Sequence, residues 1–283
     1  MRTLTGRALL AGVVGWPVAH SRSPRLHGFW LDEHKIDGAY LPLAVRPENL
    51  ATVLRALPLL GFRGVNLTVP HKETALAVVD WASDAARRIG AVNTIVIDAD
   101  GRLEGSNTDG FGFLENLAAA LPRWRASDGA AVLLGAGGAA RAIAAALADG
   151  GAPEIRLVNR TPARARRLAA EIGGPIRVVD WPERAAALAD AALLVNATTL
   201  GMAGQPPLEL KLSALPSGAV VNDIVYAPLE TPLLAAARAR GNRVVDGLGM
   251  LLHQARPGFA AWFGVAPQVT AALRDFVLAE ASA

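Results

Sequence analysis

Short apolar runs recur along the first hundred residues, and between them apolar and polar positions mix at helical spacing. Residues 8–14, 40–45, 64–69 and 91–97 read as strands, and 24–34, 47–60 and 72–89 as helices. That βαβαβαβ order predicts a largely parallel sheet with helices on its faces. The segment from Ile95 through Asp98, Asp100 and Gly101 to Leu103 reads as a hairpin turn closing this unit. A second series begins near Ala130, with strands expected at 131–134, 155–158, 193–196, 219–223 and 243–246 between alanine-rich helices. This is the pattern of a doubly wound nucleotide-binding sheet. A helix over 111–121 is expected to cross from one series to the other, followed by a polar loop at 122–129. Helices over 250–263 and 267–281 come after the last strand.

A chain of 283 residues is about twice the usual single-domain length, so two cores are expected. The predicted class is α/β: an N-terminal αβ domain over 1–109 with a mainly parallel sheet, and a Rossmann-like doubly wound domain over 110–249. The helices of about 250–283 are expected to pack back on the first domain, and the chemistry is expected in the cleft between the two.

Composition narrows the function classes. Hydrophobic residues make up 52% of the chain, which argues against disorder, and no apolar stretch reaches the roughly 18 to 20 uncharged residues needed to cross a bilayer. A soluble, cytoplasmic protein with no membrane partner is expected. Arg2 and Arg7 before the apolar run imitate a secretory signal, but Gly12, Gly15 and Pro17 interrupt it, and a buried strand ending in a turn explains the same residues. Cysteine is absent, and His20, His27, His34, His71 and His253 form no ligand pair, so no metal is predicted. The net charge of +3 comes without a basic run, so no nucleic-acid partner is expected. Of 28 basic residues only Lys35, Lys72 and Lys211 are lysine. Arginine does not release a proton near neutral pH, whereas lysine can be tuned to do so, which singles out Lys72 within a motif-rich stretch.

Gly135-Ala136-Gly137-Gly138-Ala139-Ala140 follows an apolar strand and opens an alanine-rich helix. Gly135 suits the tight turn, Gly137 the approach of a pyrophosphate to the backbone, and Ala140 the close-packing third position of the dinucleotide fingerprint. The helix start then offers N–H groups and a positive dipole end. The next strand runs into Asn159-Arg160-Thr161, with Arg164 beyond, where an NAD protein usually carries an acid. Two arginines and a hydroxyl suit a 2′-phosphate, and this reading outweighs the alternative of a merely solvated basic helix start; NADP is the predicted cofactor.

Ser21 and Ser23 follow the first strand and could hold a carboxylate, although Ser23 before Pro24 also suits a helix N-cap. Thr68 and Lys72 lie at the carboxyl end of the third strand, where α/β sheets bind ligands, and a lysine opening a helix opposes the helix dipole. Asn93-Thr94 opens the next strand. Asp109, in Ser106-Asn107-Thr108-Asp109-Gly110, either caps the following helix or acts in proton transfer beside an ammonium.

Taken together these segments resemble the shikimate dehydrogenase family over nearly the whole chain. The matching stretches are 15–24, the NLTVPHK run from Asn66, Ala91-Val92-Asn93-Thr94, the NTDG run from Asn107, GAGGAARA from Gly135, NRT from Asn159, NATTLGM from Asn196 and DGLGMLLHQA from Asp246. The resemblance implies NADPH-dependent, reversible reduction of 3-dehydroshikimate to shikimate, a step of aromatic amino acid (chorismate) biosynthesis, by a monomer or homodimer. By the same resemblance, Lys72 and Asp109 flank the reacting hydroxyl, and Ser21 and Ser23 hold the substrate carboxylate with Tyr226 nearby. It also gives ring-hydroxyl binding to Thr68, Asn93 and Gln254, and the adenosine 2′-phosphate to Asn159, Arg160, Thr161 and Arg164. Thr198, Met202, Ile224, Gly247 and Met250 would line the nicotinamide pocket. Gly28 and Ala227 stand where asparagine is common in the family, which bears on the choice between shikimate and quinate.

Overall fold

The computed structural model describes residues 3–279. The apolar run near the N-terminus forms β1 (Leu9–Gly15), whose last five residues are all buried. It is followed by α1 (Ser23–Glu33), β2 (Gly38–Ala44), α2 (Leu50–Ala56) and β3 (Phe62–Leu67). Next come the two-residue β4 (Trp81–Ala82), α3 (Asp84–Ile89), β5 (Thr94–Ile97) and β6 (Leu103–Ser106). The second series runs α4 (Asp109–Ala120), β7 (Ala131–Leu134), α5 (Gly138–Asp149), β8 (Ile155–Val158), α6 (Pro162–Ile172) and β9 (Ile176–Val179). It continues through β10 (Leu193–Asn196), β11 (Val220–Asp223), α7 (Pro232–Ala239) and β12 (Arg243–Val245), and the chain closes with α8 (Leu248–Phe263) and α9 (Ala271–Leu278). The chain divides into one unit of Met1–Thr108 with Leu251–Ala283 and another of Asp109–Met250.

The first unit holds a six-stranded sheet in the order β2-β1-β3-β5-β6-β4. The β1 strand pairs parallel with β2 and β3, as the crossover helices require. Two expectations fail here. The stretch 72–89 is not one helix but a short 3-10 turn at Thr74–Ala77, then β4, then α3. Asp80 explains the break: its carboxylate accepts from Leu103 N at 2.8 Å and from Arg55 at 2.6 Å, and its own N–H reaches Leu103 O, which fastens the chain to β6. Ser83 then caps α3 by accepting from Ala86 N at 3.1 Å. With β4 interrupting the expected helix before it, β5 runs antiparallel to β3 rather than parallel, and it pairs antiparallel with β6 through the expected hairpin. At that turn Asp98 Oδ1 accepts from Asp100 N and Arg102 N, and Gly101 takes φ +78°. Behind the sheet, Leu50, Leu54 and Leu57 pack with Val65, Ile95 and Leu103.

The terminal helices belong to this unit beyond Met250. Trp262 Nε1 donates to Ile95 O at 3.0 Å and Trp30 Nε1 to Gln268 O at 3.0 Å. The Arg22 and Arg25 side chains donate to Val277 O and Phe276 O, so two cations at the start of α1 meet the carbonyl end of α9, the negative end of its dipole. Residues 280–281 of the expected second terminal helix lie outside the described residues.

The second unit has a fully parallel sheet ordered β12-β11-β10-β7-β8-β9. Five strands fall where apolar runs predicted them; four of these, β7, β8, β10 and β11, are buried throughout, and strands buried on both faces read as continuous hydrophobic segments. The sixth, β9, was not anticipated; it is an edge strand with mixed exposure. Helix α4 approaches α5 closely at Gly110, where a Cβ would sit 3.0 Å from Ala142 O. Among the described residues no helix is long and apolar enough to cross a membrane.

Candidate functional site

In the first unit the polar motif residues collect at one edge of the sheet. The β1 and β3 strands end side by side there, with Thr68 N donating to Val14 O at 2.9 Å. Gly15 is required at this junction, since a Cβ would lie 2.5 Å from Thr68 Cγ2. Ser21 and Ser23 follow β1. Ser23 is buried at the first position of α1, and its N–H donates to Ser21 Oγ at 3.3 Å. Arg22, not Ser23, is the N-cap residue, so the cap reading of Ser23 falls away.

Lys72 lies in the turn after β3, partly exposed, and its carbonyl accepts from Val92 N at 2.8 Å. It opens no α-helix, so the helix-dipole argument for it does not hold. Its place at the carboxyl edge does. Because β5 is reversed, its amino end meets that same edge, which brings Asn93 in beside Lys72. Asn93 is buried and donates through Nδ2 to Gln254 Oε1 at 3.3 Å and to Thr108 Oγ1 at 3.0 Å, while its Oδ1 accepts from Thr108 N at 2.9 Å. Thr108 Oγ1 also donates to Gln254 O at 2.9 Å, which ties the start of the NTDG turn to α8. Ser21, Ser23, Thr68, Lys72, Asn93 and Gln254 all belong to this unit, whereas Asp109, buried at the start of α4, and Tyr226, partly exposed after β11, belong to the other.

The second unit is built around the point where its strand order reverses, between β7 and β10. Gly135 directly follows β7 at φ +114°, and a Cβ there would meet Ala197 O at 2.9 Å and Thr198 Cγ2 at 3.2 Å. Gly137 is the N-cap residue of α5; no side chain caps the helix, and a Cβ at 137 would meet nothing within 4 Å. The helix start, with Gly138 and Ala139 in its first turn, is therefore open to an anion. On one side, Asn159 Nδ2 donates to Thr161 O at 2.9 Å, and Thr161 is the N-cap residue of α6 without using its side chain. Arg160 and Arg164 are exposed and have no acidic partner among the described residues. On the other side, Asn196 Oδ1 accepts from Thr198 N and Oγ1, and Ile224 N donates to Asn196 O. Gly247 packs so closely on Ile224 that a Cβ would run into its carbonyl, and Met250 lies buried in the first turns of α8. Met202 N donates to Thr199 O in the loop after β10. The expected nucleotide-site residues thus lie in the loops that follow the strands of one parallel sheet or in the first turns of the helices after those loops.

Several supporting residues escaped sequence reasoning. Asp223 at the end of β11 is fully buried, and burial pushes its carboxyl above the usual range against hydrogen bonds from Thr231, Val225 N and Asn196. Tyr40, Asn66, Thr94 and Thr108 form a comparable buried set in the first unit. The available signal was a polar side chain within an apolar strand, which has to find a partner when buried.

Strand order, glycine turn and open helix start define a Rossmann-like nucleotide-binding unit joined to a second α/β unit. Two family models match this chain: "Shikimate dehydrogenase substrate binding domain" over residues 13–95 and "Shikimate / quinate 5-dehydrogenase" over 117–202. The shikimate dehydrogenase (NADP(+)) of Paramagnetospirillum magneticum is 65% identical over 275 residues, 97% of this chain and 100% of that one. Among solved structures, shikimate 5-dehydrogenase from Thermus thermophilus in complex with NADP(H) and shikimate is 41% identical, with a TM-score of 0.84 over 95% of this chain and 98% of that one. Quinate dehydrogenase from Corynebacterium glutamicum in complex with NAD is 34% identical, with a TM-score of 0.89 over 96% and 99% of the two chains. The chain belongs to the shikimate dehydrogenase family.

Proposed function

We propose that this chain is an NADP-dependent shikimate dehydrogenase, reversibly reducing 3-dehydroshikimate to shikimate. In this reading the first unit binds the substrate and the second the dinucleotide. The observation that carries it is the convergence, at one sheet edge, of the paired serines, Thr68, Lys72, Asn93 and Gln254. That set offers donors for a carboxylate, uncharged partners for ring hydroxyls and one lysine suited to a reacting oxygen.

The residues present suit NADP. Gly137 leaves room for a pyrophosphate at the start of α5, and Arg160 and Arg164, without an acid to neutralise them among the described residues, suit a 2′-phosphate. When bound, the nicotinamide supplies or accepts the hydride. Ser21 and Ser23 hold the substrate carboxylate with Tyr226, and Thr68, Asn93 and Gln254 orient the ring by its hydroxyls. Lys72 stabilises the charge that develops on the ketone oxygen and delivers its proton; Asp109 orients the ammonium and shares the proton relay.

Purified protein should reduce NADP with shikimate as donor, and do so with a higher kcat/KM than with NAD or with quinate in parallel assays. Lys72→Ala should lower kcat at least about 100-fold with a smaller effect on KM. A chain that turns over quinate with NAD as well as shikimate with NADP would overturn the assignment, and near-normal kcat in Lys72→Ala would remove the lysine from the mechanism.

A further inference from the structure

Tyr40 carries a single hydroxyl proton, and it donates that proton to Asn66 Oδ1 at 2.6 Å. The Asn66 amide nitrogen is thereby turned the other way, donating to Asn93 O at 3.2 Å and to Thr94 Oγ1 at 3.1 Å. Thr94, having accepted, donates to Asn93 Oδ1 at 3.0 Å, and Asn93 passes the same polarity on through Nδ2 to Gln254 Oε1 at 3.3 Å. Every residue of this chain of bonds is buried. Four separate stretches of sequence supply them: β2, β3, the start of β5 and α8.

The Tyr40 end is itself held. The phenol ring stacks on the His27 imidazole with centroids 3.8 Å apart and planes 3° from parallel. His27 is fully buried, neither ring nitrogen makes a well-formed hydrogen bond, and burial outweighs the neighbouring Asn66 side chain to keep its pKa down at about 3, so it presents a neutral ring to Tyr40. Ser23 borders the same phenol, and its hydrogen bond partly offsets the effect of burial on Tyr40.

We propose that Tyr40, Asn66 and Thr94 are positioning residues that set the amide orientation of Asn93 and Gln254, and through them the affinity for a hydroxylated ring acid. A carboxamide can present either its oxygen or its nitrogen to a ligand hydroxyl, and the two choices are nearly equal in shape. The relay removes that choice: turning Asn93 over would set its nitrogen against the Thr108 N–H and the Thr94 hydroxyl. Removing the Tyr40 hydroxyl takes from the buried Asn66 Oδ1 its short hydrogen bond and loosens the first amide of the relay. The consequence falls on substrate binding, because none of the three residues is assigned to the reacting atoms. This inference rests on the proposed function, which takes shikimate as the ligand of Asn93 and Gln254.

The test measures the KM for shikimate, the KM for NADP, kcat and Tm in the full chain and in Tyr40→Phe, Thr94→Val, Thr94→Ser and the Tyr40→Phe/Thr94→Val double variant. Tyr40→Phe and Thr94→Val should each raise the shikimate KM about five- to tenfold, with kcat and the NADP KM within about twofold of the parent. Thr94→Ser, which keeps the hydroxyl, should stay within about twofold of the parent, and the double variant should be no worse than the weaker single because both cut one relay. Fold-changes that multiply in the double variant, a shikimate KM unmoved in both singles, or a Thr94→Ser as damaging as Thr94→Val would overturn the inference. Should Tyr40→Phe fail to fold, the Thr94→Val and Thr94→Ser pair decides by itself. A parent chain that does not oxidise shikimate would overturn the proposed function and the relay with it; an active parent with an unmoved KM in folded variants overturns the relay alone.

Discussion

Arg160 and Arg164 stand apart from most of the arginines around them. Arg141 and Arg167 share Glu171, Arg156 pairs with Glu154 and Asp190, and Arg177 also reaches Glu154. The two arginines after β8 have no such acid among the described residues, so a phosphate dianion would not have to displace one. Charge-assisted bonds of this kind contribute roughly 1.5–3 kcal/mol each, so replacing both by alanine should raise the KM for NADP at least about tenfold. The KM for NAD, which lacks the 2′-phosphate, should stay within about twofold, as initial-rate kinetics with each cofactor would reveal. Equal losses for the two cofactors would mean that these side chains do not touch the 2′ position. In the proposed mechanism Lys72 is a different kind of residue: its value there is the proton it can exchange, which none of the many arginines could supply.

At the level of elements, glycines in two turns do opposite things. At Gly137 a Cβ points into open space, whereas at Gly247 it would run into the Ile224 carbonyl. Gly137→Ala should therefore leave Tm within about 2 °C of the parent while weakening NADP binding at least about tenfold, measured by calorimetric titration. Gly247→Ala should instead destabilise the fold itself, by about 1–3 kcal/mol, before any effect on the nucleotide is considered. The glycine turn was legible in the sequence because strand, turn and helix had to occur in that order. The direction of β5 was not. Reading 72–89 as one crossover helix demanded a parallel fourth strand, and apolar spacing carries no information on strand direction. The Asp80 bonds to β6 and the capping of α3 by Ser83 break that helix. The error matters for the site, since a parallel β5 would have carried Asn93 and Thr94 to the far edge of the sheet, away from Thr68 and Lys72. Tyr40 and Asn66 could be seen in the sequence as polar residues in strands, but their partnership exists only once β2, β1 and β3 lie side by side.

For the whole molecule, pH should act through a small number of groups. Glu154 is held low by Arg177 and Arg156, Glu171 by Arg167 and Arg141, and Asp80 by the Leu103 N–H and Arg55. These carboxylates stabilise the fold above their ordinary values of 3.8 to 4.5, and that contribution is lost as pH falls through their depressed values. His27 acts earlier. Its pKa is 6.5 when unfolded and about 3 in the buried site, so its contribution is complete above 6.5 and is lost as pH falls toward 3. Asp223, raised by burial, has the opposite sign and favours the fold as pH drops. Between pH 6.5 and 4.5 the stability of the parent should fall by up to about 1.4 kcal/mol per pH unit relative to a His27→Phe variant. Thermal melts at half-unit intervals would show the two curves parallel if His27 were not responsible. The contact of α1 with α9 has a practical reach of its own. Arg22, set between the two serines proposed to grip the substrate, is anchored to the carbonyl of Val277 in α9. Loss or displacement of α9 would then look, in a kinetic assay, like a defect in substrate capture some 255 residues upstream.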